Sequence, residues 1–477
     1  MNRKRPVVLT VIAGLALAVL GAAAPALARA EDPHGSTGIG DPYFPDDGNG
    51  GIDVSKYDIH DRYDFASGKL SGWTRVSLTT TADLSGFNLD FLLPVQSVTM
   101  GGHDLAFEHL AHELVINHPF ADGEAVDLVI HYSGTPSSYG YDGEHNWIAS
   151  ANEVVAMNEP HMAAWWFPAN DHPLDKASMS ISITVPKTNK VVANGTLAQR
   201  TEHGSMATTT WNAGPMAPYL AFFGAGRYAI AKGTDHHIPW YVAVSKALPT
   251  SSQQSSMALM KKTPKLLHWL VNQLGPYPFA TTGGLTTSLS PGFALENQTR
   301  PTYEEMGDGP GAVSTVVHEL AHQWFGDSVS VAGWSDIWLN EGFATFMEMF
   351  YAEKHGGDTA EETLRSYYDG YGAGDAFWNL EVADPCPSHT GCVSKIFDGR
   401  VYQRGGLTLQ ALRNVVGDTD FWDLLRTWAS DHKGGNGSTE QFQALAEDIS
   451  GLDLGGFFDA WVHSTSKPAN TAANGLG

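Results

Sequence analysis

Basic residues are scarce in this 477-residue chain: 28 Lys and Arg stand against 52 Asp and Glu, for a formal net charge of −24. Such a surface repels phosphate backbones, which excludes nucleic acid as a partner. Cysteine is scarcer still. Cys386 and Cys392 are the only two, so the fold cannot rest on a disulfide framework. Long apolar runs are missing after the first 30 residues, which excludes a multi-span membrane protein. No internal repeat organises the chain. What remains is a globular composition, 42% hydrophobic and 11% aromatic, with material for a large core and a length that calls for two or three domains.

The one long apolar run, residues 7–20, follows Arg3, Lys4 and Arg5. Small residues then recur at Ala26, Ala28 and Ala30. Residues 1–30 therefore read as a secretory signal cleaved near 28–30, and the protein is expected to be secreted, with no membrane attachment beyond export. The uncharged stretch 6–28 is also long enough for an uncleaved anchor, the less favoured reading. In an exported protein the acidity serves solubility, with attraction of basic peptides as the alternative.

Residues 31–52 are rich in Gly, Pro and Asp and are expected to form a loose lead-in. From Tyr57 onward, short runs alternate with period two between turn residues, as in 73–80, 125–132, 179–185 and 206–211. That pattern predicts an antiparallel β-sandwich domain over 31–225. A predominantly helical domain with some strands, α+β in class, is expected over 226–466. It begins with a helix at 251–274 whose Leu259, Leu266, Leu267, Leu270 and Leu274 form a core stripe. Residues 467–477 are expected to be a flexible tail. His112-Glu113 and His118 do not share a helical face, so these and the nearby His103 and His109 read as surface or turn residues.

The stretch that organises the chain is 311–350. Within it His318, Glu319 and His322 spell H-E-x-x-H. Residues four apart lie on one helical face, so both imidazoles can reach one metal ion with Glu319 beside it. Three protein ligands leave an open position, the arrangement of a catalytic zinc site. Glu341, in a second helical run starting near Trp338, is the candidate third ligand. Ser335 is the expected cap of that helix, with Asp336 in its first turn.

His318-Glu319-Leu320-Ala321-His322-Gln323-Trp324-Phe325-Gly326, followed by Trp338-Leu339-Asn340-Glu341-Gly342, resembles the zinc core of the M1 family of gluzincin aminopeptidases, and in particular a secreted bacterial type without a C-terminal helical domain. The resemblance implies a saddle-like β domain, a thermolysin-like catalytic domain and one Zn2+ per chain on His318, His322 and Glu341. It further implies Glu319 as general base and acid. Phe293-Ala294-Leu295-Glu296-Asn297 is similar to the family's strand before the zinc helix, though Phe293 and Leu295 replace Gly and Met. Glu296, Asn297, Ala294 and Leu295 are then expected to bind the substrate end, Glu296 through its free amine. Glu159 matches an acidic position facing the same amine, but the arginine that usually follows is Ala164 here. Tyr402-Gln403-Arg404-Gly405 resembles the segment whose tyrosine stabilises the oxyanion.

Asp336 and Glu348 are expected to support the zinc histidines from behind. Cys386 and Cys392 are expected to pair. The activity implied is release of N-terminal residues from peptides with a free amine, by a monomer with an open cleft. The rival readings are a zinc endopeptidase and an inactive, peptidase-like binding protein.

Overall fold

The computed structural model describes residues 34–477; the expected leader, 1–30, lies outside the described residues. An eight-stranded sheet dominates the first half. Its strands run in the order Thr196–His203, Met206–Met216, Ala177–Pro186, Ile52–Asp64, Lys69–Thr80, Ala125–Gly134, Val95–Met100 and His103–Asp104. Alternation sets which face is buried: in Ala125–Gly134, Val126, Leu128, Ile130 and Tyr132 point inward while Asp127 and His131 stay out. Smaller sheets of three and four strands complete this β-rich domain.

One pairing departs from the expected antiparallel pattern. Ile52–Asp64 and Ala177–Pro186 run parallel, from Lys56 opposite Ser178 to Arg62 opposite Thr184. The chain between them is long enough for the crossover a parallel pair requires. That crossover carries Glu159 and the fully buried Trp165, Trp166 and Phe167.

The second half opens on a sheet of Tyr228–Asp235, Ile238–Ser245, Thr282–Thr286 and Thr302–Tyr303, antiparallel in its first pair and parallel thereafter. Helices follow: α1 (Thr250–Met260), α2 (Thr263–Leu274), α3 (Pro310–Ala321), α4 (Trp338–Lys354), α5 (Ala360–Gly370), α6 (Val393–Ile396), α7 (Gly399–Val416), α8 (Asp418–Asp431), α9 (Thr439–Ser450) and α10 (Gly455–Trp461). The single helix expected at 251–274 is two, because Pro264 in the first turn of α2 has no N–H to continue α1. The leucine stripe is buried as expected. Among the described residues, no helix is long and apolar enough to cross a membrane.

Both ends of the described chain are packed, against expectation. In the lead-in, Asp41 accepts from the backbone of Tyr43, Phe44 and Trp334. Asn49 reaches Asp90 at 3.1 Å. The Tyr43 hydroxyl bonds Asp384 and accepts from the Cys386 amide, beside the Cys386–Cys392 disulfide. The segment is a strap joining the two domains; its Gly, Pro and Asp content suits tight turns with buried carboxylate acceptors as well as it suits coil. At the other end, Lys467 Nζ donates to the Tyr368 and Tyr371 carbonyls, Asn474 accepts from Trp461, and Leu476 is buried.

α4 and α7 approach each other backbone to backbone. A Cβ on Gly342 would sit 2.9 Å from Gly405 Cα, and one on Gly405 only 2.8 Å from Gly342 Cα. Gly342 follows Glu341, and Gly405 lies one turn past Tyr402, so this contact sets the spacing of two candidate site residues. Gly342→Ala forces the helices apart. Chemical denaturation is expected to show a loss of roughly 1–3 kcal/mol, and kcat is expected to fall because Tyr402 is displaced.

Candidate active site

A cavity of about 440 Å³ lies where α3, α4, α7, the 293–296 strand edge and the Glu159 loop meet. His318, Glu319, His322, Glu341, Glu159, Glu296, Ala294, Leu295, Glu348 and Tyr402 all line it. The apolar face of α3, with Val316, Val317, Leu320 and Ala321, is buried and holds the helix against the core. Its opposite face carries the two histidines. Gly326, at φ +128°, turns the chain away directly afterwards; a side chain there would crowd His322 Nδ1 at 3.3 Å.

His318 Nε2 and His322 Nε2 lie 3.2 and 3.4 Å from the same Glu341 oxygen. Each ring is anchored through its other nitrogen: His318 Nδ1 to Glu348 Oε1 at 2.7 Å, His322 Nδ1 to the Phe325 carbonyl at 3.0 Å. Glu348 is itself held by the Ser314 hydroxyl at 2.7 Å. Both Nε2 atoms are thereby aimed at one point, with three donor atoms within 4.8 Å of one another. Oriented imidazoles plus one carboxylate fit a catalytic zinc ion. Glu296 and Glu319 also approach His322 within the same limit, but only Glu341 lies within 3.4 Å of both Nε2 atoms.

The charges point the same way. Burial pulls both histidines toward neutrality, yet the neighbouring carboxylates outweigh it, raising His318 well above the usual range and His322 to about 9. Burial alone would raise Glu341; the histidines beside it bring it down to about 2. Burial takes Glu319 up to about 8, with Glu296 and Glu341 adding to it against the pull of the histidines. Four buried carboxylates gathered around two imidazoles demand positive charge, which a dication supplies.

The amine end is visible as missing partners. Glu159 Oε1 and Glu296 Oε1 are buried and accept no hydrogen bond. Burial and the mutual repulsion of these carboxylates raise Glu159 strongly, and burial raises Glu296. Leu295 pairs with Thr302 through both backbone groups, 2.9 and 2.8 Å, so the stretch 293–297 is one bridge at a sheet edge rather than a full strand. The main-chain groups of Ala294 make no hydrogen bond among the described residues. Tyr402 stacks on His318 at 6.0 Å, and its hydroxyl has no hydrogen-bond partner among the described residues. Burial, reinforced by Glu341 and the other carboxylates, keeps it a neutral phenol.

Two expected site residues lie elsewhere. Asp336 accepts from Thr439 N and Oγ1 at 2.9 and 2.7 Å, closing the start of α9, and touches neither histidine. The cause is a 3-10 turn over Trp334–Asp336 that leads into α4 through Ile337, so Ser335 caps nothing and Asp336 faces away. Asn297 is fully buried outside the cavity lining and donates to the Leu220 carbonyl at 3.2 Å, tying the strand to the β domain. His112 lies in the turn before the strand Glu113–Asn117, as expected of these histidines, but it is buried.

Two positioning residues were not anticipated. Gln323, one residue past the second histidine, donates to the Glu296 carbonyl at 2.9 Å and accepts from Thr299 N at 2.7 Å, locking the strand edge to the zinc helix. His161, two residues after Glu159, lies between Glu144 Oε2 and Asp47 Oδ2, both at 2.5 Å. Burial opposes its charge, but the two carboxylates outweigh burial and raise it well above the usual imidazole value. This buried ion triad braces the Glu159 loop where Ala164 leaves no arginine to do so.

Removing the imidazolium in His161→Gln strands Asp47 and Glu144 and is expected to cost roughly 3–5 kcal/mol. The raised imidazole stabilises the fold fully below about pH 6.5, its unfolded value, and the contribution is lost as pH rises through the folded value. Denaturant unfolding of the parent at about pH 6 and about pH 9 should show that loss, and His161→Gln should show less of it.

Comparison with known proteins agrees with this geometry. The family models for the "Peptidase family M1 domain" and the "Peptidase M1 N-terminal domain" match residues 292–461 and 56–220. The chain belongs to peptidase family M1. It is 25% identical over 438 residues to the tricorn protease-interacting factor F2 of Thermoplasma acidophilum, covering 87% of this chain and 54% of that one. It is 26% identical over 356 residues to aminopeptidase M1 of Arabidopsis thaliana, covering 70% and 39%. The chain thus spans about half the length, or less, of these curated relatives.

Among solved structures it is similar to the M1 zinc metallopeptidase of Deinococcus radiodurans, with a TM-score of 0.79, 27% identity and coverage of 91% of this chain and 99% of that one. A glutamate-to-alanine mutant of that enzyme, bound to a Tyr-Ser-Ala substrate, superimposes with a TM-score of 0.78 at 28% identity, covering 89% and 97%.

Proposed function

We propose that this chain is an exported zinc aminopeptidase that removes the first residue from peptides. The observation that carries the reading is the pair of unpartnered carboxylate oxygens of Glu159 and Glu296, buried in the same cavity as His318, His322 and Glu341. An ammonium group supplies the charge and donors those oxygens lack. The export signal rests on residues 1–30 of the sequence alone.

His318, His322 and Glu341 would hold one Zn2+, whose contribution when bound is Lewis-acid activation of water and of the scissile carbonyl. Glu319 takes the proton of the attacking water and delivers it to the departing amine. Tyr402 donates its hydroxyl to the oxygen of the scissile carbonyl as negative charge builds there. The free main-chain groups of Ala294 pair with the peptide backbone, and Glu296 with Glu159 fixes its start. Phe293, 39% exposed at the cavity mouth, narrows the space open to the first side chain.

Chromatographic analysis of a short free-amine peptide tests the reading. Stepwise loss of residues from its N-terminus, abolished by a chelator and restored by zinc, is expected. Internal cleavage products instead would make the protein an endopeptidase.

A further inference from the structure

Away from the cleft, the β-rich domain holds a second group of ligating side chains. Asp90 ends the strand Phe87–Asp90, Glu113 begins the strand Glu113–Asn117, and the two are direct cross-strand partners. Like charges placed directly opposite each other in a sheet repel. Both are buried, Asp90 at 2% exposure and Glu113 at 8%. Asp90 Oδ2 accepts from Asn49 Nδ2 and Asp171 N, at 3.1 and 2.8 Å. Asp90 Oδ1 and both Glu113 oxygens are buried and accept no hydrogen bond.

Among the described residues no lysine or arginine forms an ion pair with either carboxylate. The one cationic candidate is His112, whose Nε2 lies 3.5 Å from Glu113 Oε1. One donor atom each from Asp90, His112 and Glu113 falls within 4.8 Å of the others.

We infer that Asp90, His112 and Glu113 form a second metal site, distinct from the zinc centre, for a divalent transition-metal ion. Two carboxylates and an imidazole are a mixed oxygen and nitrogen donor set, which suits Mn2+ or Zn2+ better than Ca2+ or Mg2+. A dication gives each of the two carboxylates a partner and cancels the repulsion between paired strands. His112 Nε2 donates to the Asp46 carbonyl at 3.1 Å, and it releases that proton if this nitrogen ligates the ion.

The location gives the ion a role. Asp46 and Asp47 are adjacent in the strap. The first touches His112, and the second holds His161 and accepts from the Tyr141 hydroxyl at 2.8 Å. Tyr141 in turn packs on the His112 ring at 4.1 Å. A cation here pins the strap on which the Glu159 loop leans.

The test starts from the chain carrying a single equivalent of zinc, as checked by metal analysis, and titrates it with Mn2+, followed by electron paramagnetic resonance and by metal analysis after desalting. The wild-type protein is expected to take up one Mn2+ per chain while keeping its zinc, and to melt at a higher temperature with it. Glu113→Gln, and separately Asp90→Asn, should weaken Mn2+ uptake at least tenfold and lose the shift in melting temperature. Failure of the zinc-loaded wild type to bind Mn2+ overturns the inference without any variant. Undiminished Mn2+ binding by Glu113→Gln overturns it too.

Discussion

Glu319→Gln lowers kcat by about a hundred- to ten-thousand-fold, the usual range for a lost general base. KM is expected to change little, because the amine and backbone contacts proposed for the substrate lie with Glu296, Glu159 and Ala294. The amide is isosteric and neutral, so it removes one of four buried carboxylates without opening a cavity, and the fold should be unharmed. Bound zinc is the control. His318, His322 and Glu341 converge without Glu319, their rings fixed from behind by Glu348 and the Phe325 carbonyl. Zinc content of the variant should therefore match the parent. A variant that loses zinc along with activity would show that Glu319 acts as a ligand instead.

Tyr402→Phe is expected to lower kcat by about a hundred- to thousand-fold, as for removal of one oxyanion donor. Its hydroxyl has no hydrogen-bond partner among the described residues, and burial among carboxylates keeps it protonated. It is therefore free for a bond that forms only as charge develops on the carbonyl oxygen. Such a bond appears in kcat and scarcely in KM. Steady-state kinetics on one peptide distinguishes this from a packing role, in which KM and stability would shift together.

What could be read from the sequence was what lies close along the chain. His318 and His322 share one helical face by periodicity, and Glu341 lies on the next helix, so only the packing of α4 on α3 has to be supplied by the fold. Glu348 follows by the same rule, seven residues on and on the same face. Asp336 fails it, because one 3-10 turn before α4 rotates the residue toward Thr439. The bracing of the Glu159 loop was out of reach, since His161 meets Asp47 across 114 residues and nothing local marks either as charged in the fold. Gly342 and Gly405 were equally silent: each looks like an ordinary helix glycine until the two backbones are seen in contact. The lead-in was misjudged for a related reason. Its buried aspartates accept from the segment itself and also from distant partners, Trp334 in one domain and Tyr141 in the other.

Glu296 and Glu159 carry the central claim, that the cleft measures its cut from a free amine. The direct measurement is hydrolysis of one short peptide in free-amine and N-acetylated forms by the zinc-loaded protein, with Glu296→Gln alongside. The account predicts release of the first residue from the free-amine form alone, and a loss of kcat/KM in Glu296→Gln for that form. Equal cleavage of the acetylated peptide would contradict it, because on this account the two buried carboxylates need the charge and multiple donors of an ammonium, which an acetylated amine lacks.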